Sequence, residues 1–379
     1  MSDTIGLVTG VGSHNGGAEL MLRAAADALR TMGLTPAVDM KRVAPEVRRR
    51  WGVERFVSVA RAGRAEHVGL NLVPAPVARA ARVYSSRHVG AVLDASGFYL
   101  GDQWAPHVAL RTAALYEYWH RRGVPVVMLP QAFGPFTDPA VAAAARRVVA
   151  TASVVFARDE ESFEHVAALA DTHKVRLAPD FTALLTPAGP SQRAVRSGVA
   201  VVPNVNILRT AGRDEYVGAL TRTCTGLVEA GHDVVVLVHS TAGDPGLARE
   251  VAAAAGVAVV QPADGLAAKE LIGRCAGLVG GRYHALASAL SQGVPVVAHS
   301  WSHKYRALLA DFGVGHDRVL DPTDAAGTTA ALLADMADPA VRDRIARAAD
   351  DVRDRNRAMW AAVARVVDGK SLGTDTAAA

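Results

Sequence analysis

A chain of 379 residues, half of them apolar, is long enough for two domains with sizeable cores. Only 5% of the residues are aromatic, the net charge is +4, and no run interleaves Lys or Arg with aromatic rings, so nothing favours a nucleic-acid surface. No apolar run approaches the roughly 18 residues of a membrane span; Cys224 and Cys275 stand apart without zinc spacing, and "MSDTIGLVTG" reads as a first strand rather than a leader. The expectation is a cytoplasmic chain with free thiols, no metal and no membrane span.

In chain order, short β-type runs alternate with longer helical ones. Strands are expected at "TIGLVTG", "TPAVDM", "HVGAVLDA", "VPVVMLP", "ASVVFAR" and "KVRLAPD". Helices are expected over about 16–32, 105–122, 139–150 and 159–169, with short helices within 40–85. The Val-rich strand centres suit a parallel sheet covered on both faces. Residues 186–198, "TPAGPSQRAVRSG", have a linker's composition. Strands then follow at "VAVVPN", "DVVVLVHS", "VAVV", "GLVGG" and "VPVVAH", with helices over about 213–230, 244–255, 266–275, 283–292, 303–312, 323–336 and 340–368. This alternation is an α/β pattern of two Rossmann-like domains facing a cleft. The domains are expected at 1–190 and 196–379, with the last helix able to pack back on the first. Ligands of such sheets lie beyond the C-terminal strand ends, so the residues there are the candidates.

The first turn, "VGSHNGGAEL", carries His14, Asn15 and Glu19; its spacing is not GxGxxG, which argues against a dinucleotide. "LDASGFYLGDQW" brings Asp94 and Asp102, and "MLPQAFGPF" brings Gln131, whose amide suits a sugar hydroxyl or an anion. In "VVFARDEES" a strand runs into Arg158, either an anion clamp or the partner of Asp159 or Glu161. Asp180 in "APDFTALL" suits the interdomain bend.

The richest stretch is "GGRYHALASALSQGVPVVAHSWSHK". Its glycines let the backbone turn tightly, and Arg282 and His284 then fall at a helix N-terminus, where backbone N–H groups and the dipole favour an anion. Lys304 lies at the next strand end, with His299 and His303 as weaker candidates. No Asp or Glu occurs from 271 to 310, which leaves the local field positive.

These stretches resemble the polysaccharide pyruvyl transferases. The resemblance runs from "NGGAELM" to "KYRALLADFGV" and is carried by "PQAFGPF", "ARDEES", "APDFT" and above all the stretch around Arg282. It implies a glycosyltransferase-B-like fold and transfer of the pyruvyl unit of phosphoenolpyruvate onto two hydroxyls of one sugar, giving a cyclic ketal and phosphate. The family's Arg-x-His motif falls on Arg282, Tyr283 and His284; the middle position, often Leu, is Tyr here. The resemblance implies that Arg158, Arg282, Tyr283 and Lys304 hold phosphoenolpyruvate and that His284 moves the proton. The family's Asn-x-Gly-Asp-Glu turn reads Asn15-Gly16-Gly17-Ala18-Glu19 here, on the acceptor side with Asp94, Asp102 and Gln131.

A donor with a carboxylate and a phosphate on one small frame fits a cationic, acid-free site, and imidazole suits proton transfer near neutral pH. No cofactor or metal is called for beyond phosphoenolpyruvate as donor substrate. The partners expected are that donor and a sugar or glycan acceptor, which brings peripheral membrane contact if the acceptor is lipid-linked. Two other readings stay open: a glycosyltransferase of the same fold using a nucleotide sugar, and a non-catalytic glycan-binding or scaffold protein.

Overall fold

The computed structural model describes residues 4–13, 15–57, 77, 80–169, 172–187, 197–300 and 304–370. The chain packs as two compact units, one of Met1–Ser13, Met21–Phe181 and Arg355–Ala379, the other of His14–Leu20 and Thr182–Asp354. The division therefore passes through the first and the last helix as well as the middle of the chain. Residues 188–196 of the linker segment lie outside the described residues.

The first unit is built on β1 (Ile5–Thr9), β2 (Thr35–Asp39), β3 (Glu54–Phe56), β4 (Val83–Tyr84), β5 (Val89–Asp94), β6 (Val126–Gln131), β7 (Val154–Ala157) and β8 (Val175–Leu177). They form one eight-stranded parallel sheet in the order β4-β3-β2-β1-β5-β6-β7-β8. Between the strands run α1 (Gly16–Thr31), α2 (Pro45–Trp51), α3 (Pro106–Arg121), α4 (Pro139–Thr151) and α5 (Glu160–Ala167). Pro opens α2, α3 and α4 at a position where its missing N–H costs nothing. Where the sequence suggests only short helices over 40–85, α2 is followed by β3 and β4. Segments as short as "ERF" and "VY" carry no periodicity, and pairing at the sheet edge makes them strands. Residues 58–76 and 78–79 of that stretch lie outside the described residues.

The second unit contains β9 (Val199–Val202), α6 (Arg213–Glu229), β10 (Val234–Leu237), α7 (Asp244–Ala255), β11 (Ala258–Val260), α8 (Gly265–Arg274), β12 (Gly277–Gly280) and α9 (Tyr283–Leu290). It continues with β13 (Val296–His299), α10 (Lys304–Asp311), β14 (Val319–Leu320), α11 (Ala325–Ala337) and α12 (Pro339–Val367), whose end belongs to the first unit. Its parallel sheet has the order β11-β10-β9-β12-β13-β14. Counted from β9, this is the 3-2-1-4-5-6 order of a Rossmann sheet. The short β14 is an addition to the strands expected from sequence.

Alternation along the strands sends side chains to two cores. Val199, Val201 and Val279 meet Tyr216 and Leu220 of α6 and Val251 of α7. Ala200, Val202 and Leu278 meet Leu286 of α9, Leu308 of α10 and Ile345 of α12. Each large side chain buried in this way stabilises by roughly 1.5–3 kcal/mol. Cys224 and Cys275 are buried free thiols, and burial pushes the Cys224 thiol up to about 12. Among the described residues, no helix is long and apolar enough to cross a membrane, and no group of three or more His, Cys, Asp or Glu could hold a metal ion.

Strand order reverses between β1 and β5 in the first sheet and between β9 and β12 in the second. Doubly wound sheets hold ligands beyond the C-terminal strand ends at such switch points.

Candidate active site

At the second switch point, β12 leaves its sheet through Gly280 and Gly281. A Cβ on Gly281 would fall 2.5 Å from Ile207 Cδ1 and 3.0 Å from Asn204 Cβ, so only glycine fits without a shift. The Gly281 carbonyl accepts from Asn204 Nδ2 and, at 2.8 Å, from the Tyr305 hydroxyl. The turn is thereby held from the loop after β9 and from α10.

Arg282 is the N-cap of α9, with extended backbone and no side-chain capping bond. Its side chain instead reaches the start of α7. Nε donates to Asp244 Oδ2 at 2.7 Å, and a terminal nitrogen donates to Oδ1. Asp244 is fully buried and also accepts from the Val205 amide at 3.2 Å. Burial raises the Asp244 pKa, against the opposing effect of the Arg282 hydrogen bonds. The absence of acids from 271 to 310 does not carry over into space: an acid 38 residues away in sequence closes on the arginine.

His284 stands half-buried one residue into α9. The first turn of α1 lies directly against it: a methyl at Gly17 would sit 2.2 Å from His284 Nδ1. The Gly16 amide donates to the His239 carbonyl at 3.1 Å. Asn15 caps α1 by accepting from the Gly17 amide at 2.9 Å and pairs with Ser240 in an antiparallel bridge. Glu19 is buried, and its carboxylate accepts from the Gly265 amide at the start of α8 at 3.2 Å. The turn bearing Asn15 and Glu19, expected in the first domain, thus packs within the second unit beside the Arg-x-His motif.

His239, just past β10, is 4% exposed, and neither ring nitrogen has a hydrogen-bond partner among the described residues. Burial first, then the charges of His284 and Arg282, lower its pKa to about 3, so the ring is neutral. Tyr283 is buried; its ring meets that of His284 edge-on at 5.2 Å, and Lys304 Nζ lies 5.8 Å from the ring centroid. Arg282, Tyr283, His284 and Lys304 are therefore brought together. His299 turns inward: it is 1% exposed, its Nε2 is 3.1 Å from Thr328 Oγ1, and burial lowers its pKa to about 4. His14 and His303 lie outside the described residues.

The remaining candidates are in the first unit. Arg158 follows β7, and its amide donates to the Gln131 carbonyl at 3.0 Å. Its guanidinium is 3.8 Å from Asp180, with both side chains almost fully buried. Asp159, one of the acids anticipated for Arg158, caps α5 through the Ser162 amide at 2.8 Å. Gln131 Nε2 is buried without a hydrogen-bond partner among the described residues. Asp94 accepts from the Tyr116 hydroxyl at 2.6 Å and the Ser96 amide at 3.0 Å. Asp102 accepts from the Thr137 amide and hydroxyl at 2.6 Å each. Burial works to raise the Asp102 pKa, but those bonds and one from the Asp138 amide outweigh it and leave it lowered. Asp94 thus ties the loop after β5 to α3, and Asp102 holds the loop that leads into α4.

Asp244, His239 and Asn204 escape a reading of the sequence. Asp244 looks like an ordinary first-turn acid ahead of a proline, and only the fold ties it to Arg282. His239 had one signal, a lone imidazole at the end of the apolar run "VVVLV".

Fold and site together define an α/β protein of glycosyltransferase-B-like fold with a cationic centre at the switch point of its second sheet. The solved structures similar to it agree on the fold. The S. aureus MnaA–UDP co-structure matches with a TM-score of 0.62 at 13% identity, over 97% of this chain and 97% of that chain. The UDP-GlcNAc 2-epimerase from Neisseria meningitidis bound to UDP-GlcNAc matches at 0.59 and 11%, over 95% of this chain and 99% of that one. The glycosyltransferase SnogD from Streptomyces nogalater matches at 0.53 and 18%, over 97% and 99%. At these identities the likeness concerns the fold alone. No curated protein matches the chain. The family model of the polysaccharide pyruvyl transferases matches residues 15–303, and the chain belongs to that family.

Proposed function

We propose that this protein transfers the pyruvyl unit of phosphoenolpyruvate onto two hydroxyls of one sugar, releasing phosphate, in the cytoplasmic synthesis of a cell-envelope or exported glycan. The observation that carries this reading is the gathering of Arg282, His284 and Lys304 around Tyr283 at the second switch point. A carboxylate and a phosphate on one small frame need more than one cation. The inner edge of the Arg282 fork is committed to Asp244, and its outer N–H groups remain to grip an anion. Lys304 supplies a second positive charge. Arg158 enters the reading through its match to the family's motif.

In this reading protonated His284 delivers its proton to the methylene carbon of the donor, which makes C2 electron-poor and oxocarbenium-like. One sugar hydroxyl adds to C2 and gives its proton to the emptied His284 imidazole; the bond from C2 to the phosphate oxygen then breaks, phosphate leaves, and C2 is left as an oxocarbenium ion. The second hydroxyl adds to that carbon, its proton passing to the departing phosphate, and closes the ketal ring. His239, neutral and buried, is not the proton donor. The chemistry asks for no metal and no cofactor.

The test is thermal unfolding with candidate donors, since a ligand that binds the folded state raises Tm. Phosphoenolpyruvate is expected to stabilise the protein, and UDP and GDP sugars are not. Strong stabilisation by a nucleotide sugar with none by phosphoenolpyruvate would replace this reading with glycosyl transfer.

A further inference from the structure

We infer that Tyr99 and Trp104, in the first unit, form a stacking platform for a pyranose ring of a neutral glycan; the inference rests on the proposed function only in calling that glycan the acceptor. The two rings stack on each other, with centroids 5.2 Å apart and an interplanar angle of 16°, and they remain 42% and 37% exposed. Stacked aromatics of this size are normally spent on a core. Here they stand in the loop that leaves β5, at the switch point of the first sheet, where such sheets hold ligands.

The loop is rigid for a structural reason. Gly97 and Leu100 carbonyls accept from the Ala132 and Gly134 amides at 3.0 Å each, and the Asp102 amide donates to the Pro135 carbonyl at 3.0 Å. The Asp102 carboxylate then accepts from the Thr137 amide and hydroxyl at 2.6 Å and from the Asp138 amide at 3.3 Å. A loop so tied to its neighbour presents its rings in a preset pose, which lowers the entropy cost of binding. Asp102 thereby has a role other than base: it pins the platform.

Charge selects the occupant. Residues 95–105 contain no Lys or Arg, and Asp102 is the only ionised side chain among them. A membrane-docking loop pairs its aromatics with basic residues that meet anionic headgroups. With no cation of its own to meet anionic headgroups, this loop suits an uncharged polyhydroxylated ring, whose C–H face packs on the aromatic plane while its hydroxyls meet polar neighbours such as Gln103.

The full chain and its Tyr99→Ala, Trp104→Ala and Trp104→Phe variants are to be applied to an array of neutral hexose and N-acetylhexosamine oligosaccharides. Hits are measured by calorimetry, alongside co-sedimentation with phosphatidylglycerol–phosphatidylethanolamine vesicles and the Tm shift with phosphoenolpyruvate. The wild type is expected to bind members of the array. Either alanine variant should bind them about tenfold or more weakly, as for loss of an aromatic stacking partner, while Trp104→Phe keeps most of the affinity. All variants should keep the phosphoenolpyruvate shift, which also reports that they fold. Wild-type protein that binds nothing on the array, or Trp104→Ala that binds like wild type, overturns the inference. So does vesicle binding lost in Trp104→Ala with glycan binding unchanged. Absence of the phosphoenolpyruvate shift in the wild type counts against the donor reading and leaves the platform standing.

Discussion

The fork of Arg282 closes on the buried carboxylate of Asp244, with Nε donating to Oδ2 at 2.7 Å. This pair fixes the plane and aim of the guanidinium at the cost of part of its charge. Removing one partner of such a pair strands the other, which costs about 3–5 kcal/mol. Asp244→Ala is expected to lose that much in urea unfolding, and Asp244→Asn less, because the amide oxygen still accepts. Saturating phosphoenolpyruvate should raise the Tm of Asp244→Ala more than that of wild type, since the ligand supplies the missing counter-charge. A loss below about 1 kcal/mol would mean that solvent, rather than Asp244, satisfies Arg282.

Gly17 sets the room available to His284. An alanine methyl would stand 2.2 Å from Nδ1, 2.6 Å from Cγ and 2.9 Å from Cβ of His284, so the imidazole must swing away and the starts of α1 and α9 must part slightly. Gly17→Ala, at the start of α1, is tolerable for the helix itself, where Ala is the better former. The expected result is a folded protein that binds phosphoenolpyruvate normally but releases phosphate at least about tenfold more slowly, as a displaced proton donor would. Unchanged turnover would free His284 from any need of this pose.

The parallel sheets, their helices and the cluster around Arg282 were legible because each rests on a local signal. Val-rich runs mark strands covered on both faces, and the Gly280–Gly281 exit ahead of Arg282 marks a strand running into a helix. Asp244 was hidden for the opposite reason: its contact spans 38 residues, and it forms only once β9 and β12 lie side by side at the order reversal. The placement of Asn15 and Glu19 was hidden too. A Gly-rich βα turn normally serves its own sheet, and nothing in "NGGAE" says that Gly16 and Gly17 will pack on His239 and His284. The strands β3 and β4 depend on edge pairing that no short window reveals.

Two buried histidines set an acid limit on stability. His239 is lowered to about 3 and His299 to about 4, both chiefly by burial. In the unfolded chain each returns to about 6.5. Below that pH the unfolded state takes up protons that the folded rings refuse, so stability is full above about pH 6.5 and falls as the pH drops toward 4. Each ring contributes up to about 1.4 kcal/mol per pH unit in that window. Urea unfolding at about pH 7, 6 and 5 should show the slope, and His239→Gln should remove one ring's share of it. A curve as steep in His239→Gln as in wild type would assign the acid sensitivity elsewhere.

Arg158 offers a direct contest between scaffold and ligand. Its guanidinium lies 3.8 Å from Asp180 in a nearly solvent-free setting. Arg158→Lys keeps the charge for Asp180 and loses the planar fork. If Arg158 grips the donor, titration calorimetry should show phosphoenolpyruvate bound more weakly by about 1–3 kcal/mol, the worth of a charge-assisted hydrogen bond. Unchanged affinity together with lowered stability would make Arg158 and Asp180 a buried structural pair.

Arg282 and His284 are separated by Tyr283 alone, and the proposed chemistry gives them different tasks. Arg282→Ala should abolish the Tm shift with phosphoenolpyruvate, because the gripping fork is gone and Asp244 is left as a bare carboxylate beside the anion. His284→Gln keeps a polar group of similar reach next to Gly17 and should keep most of the donor affinity. Its turnover should nonetheless fall roughly 10²–10⁴-fold, the usual worth of a positioned acid or base. Donor affinity and phosphate release, measured together on both variants, separate the two roles. A His284→Gln enzyme working at near wild-type rate would take His284 out of the proton path. His239 and His299 are neutral and buried, so the search would then pass to Tyr283 and to His303.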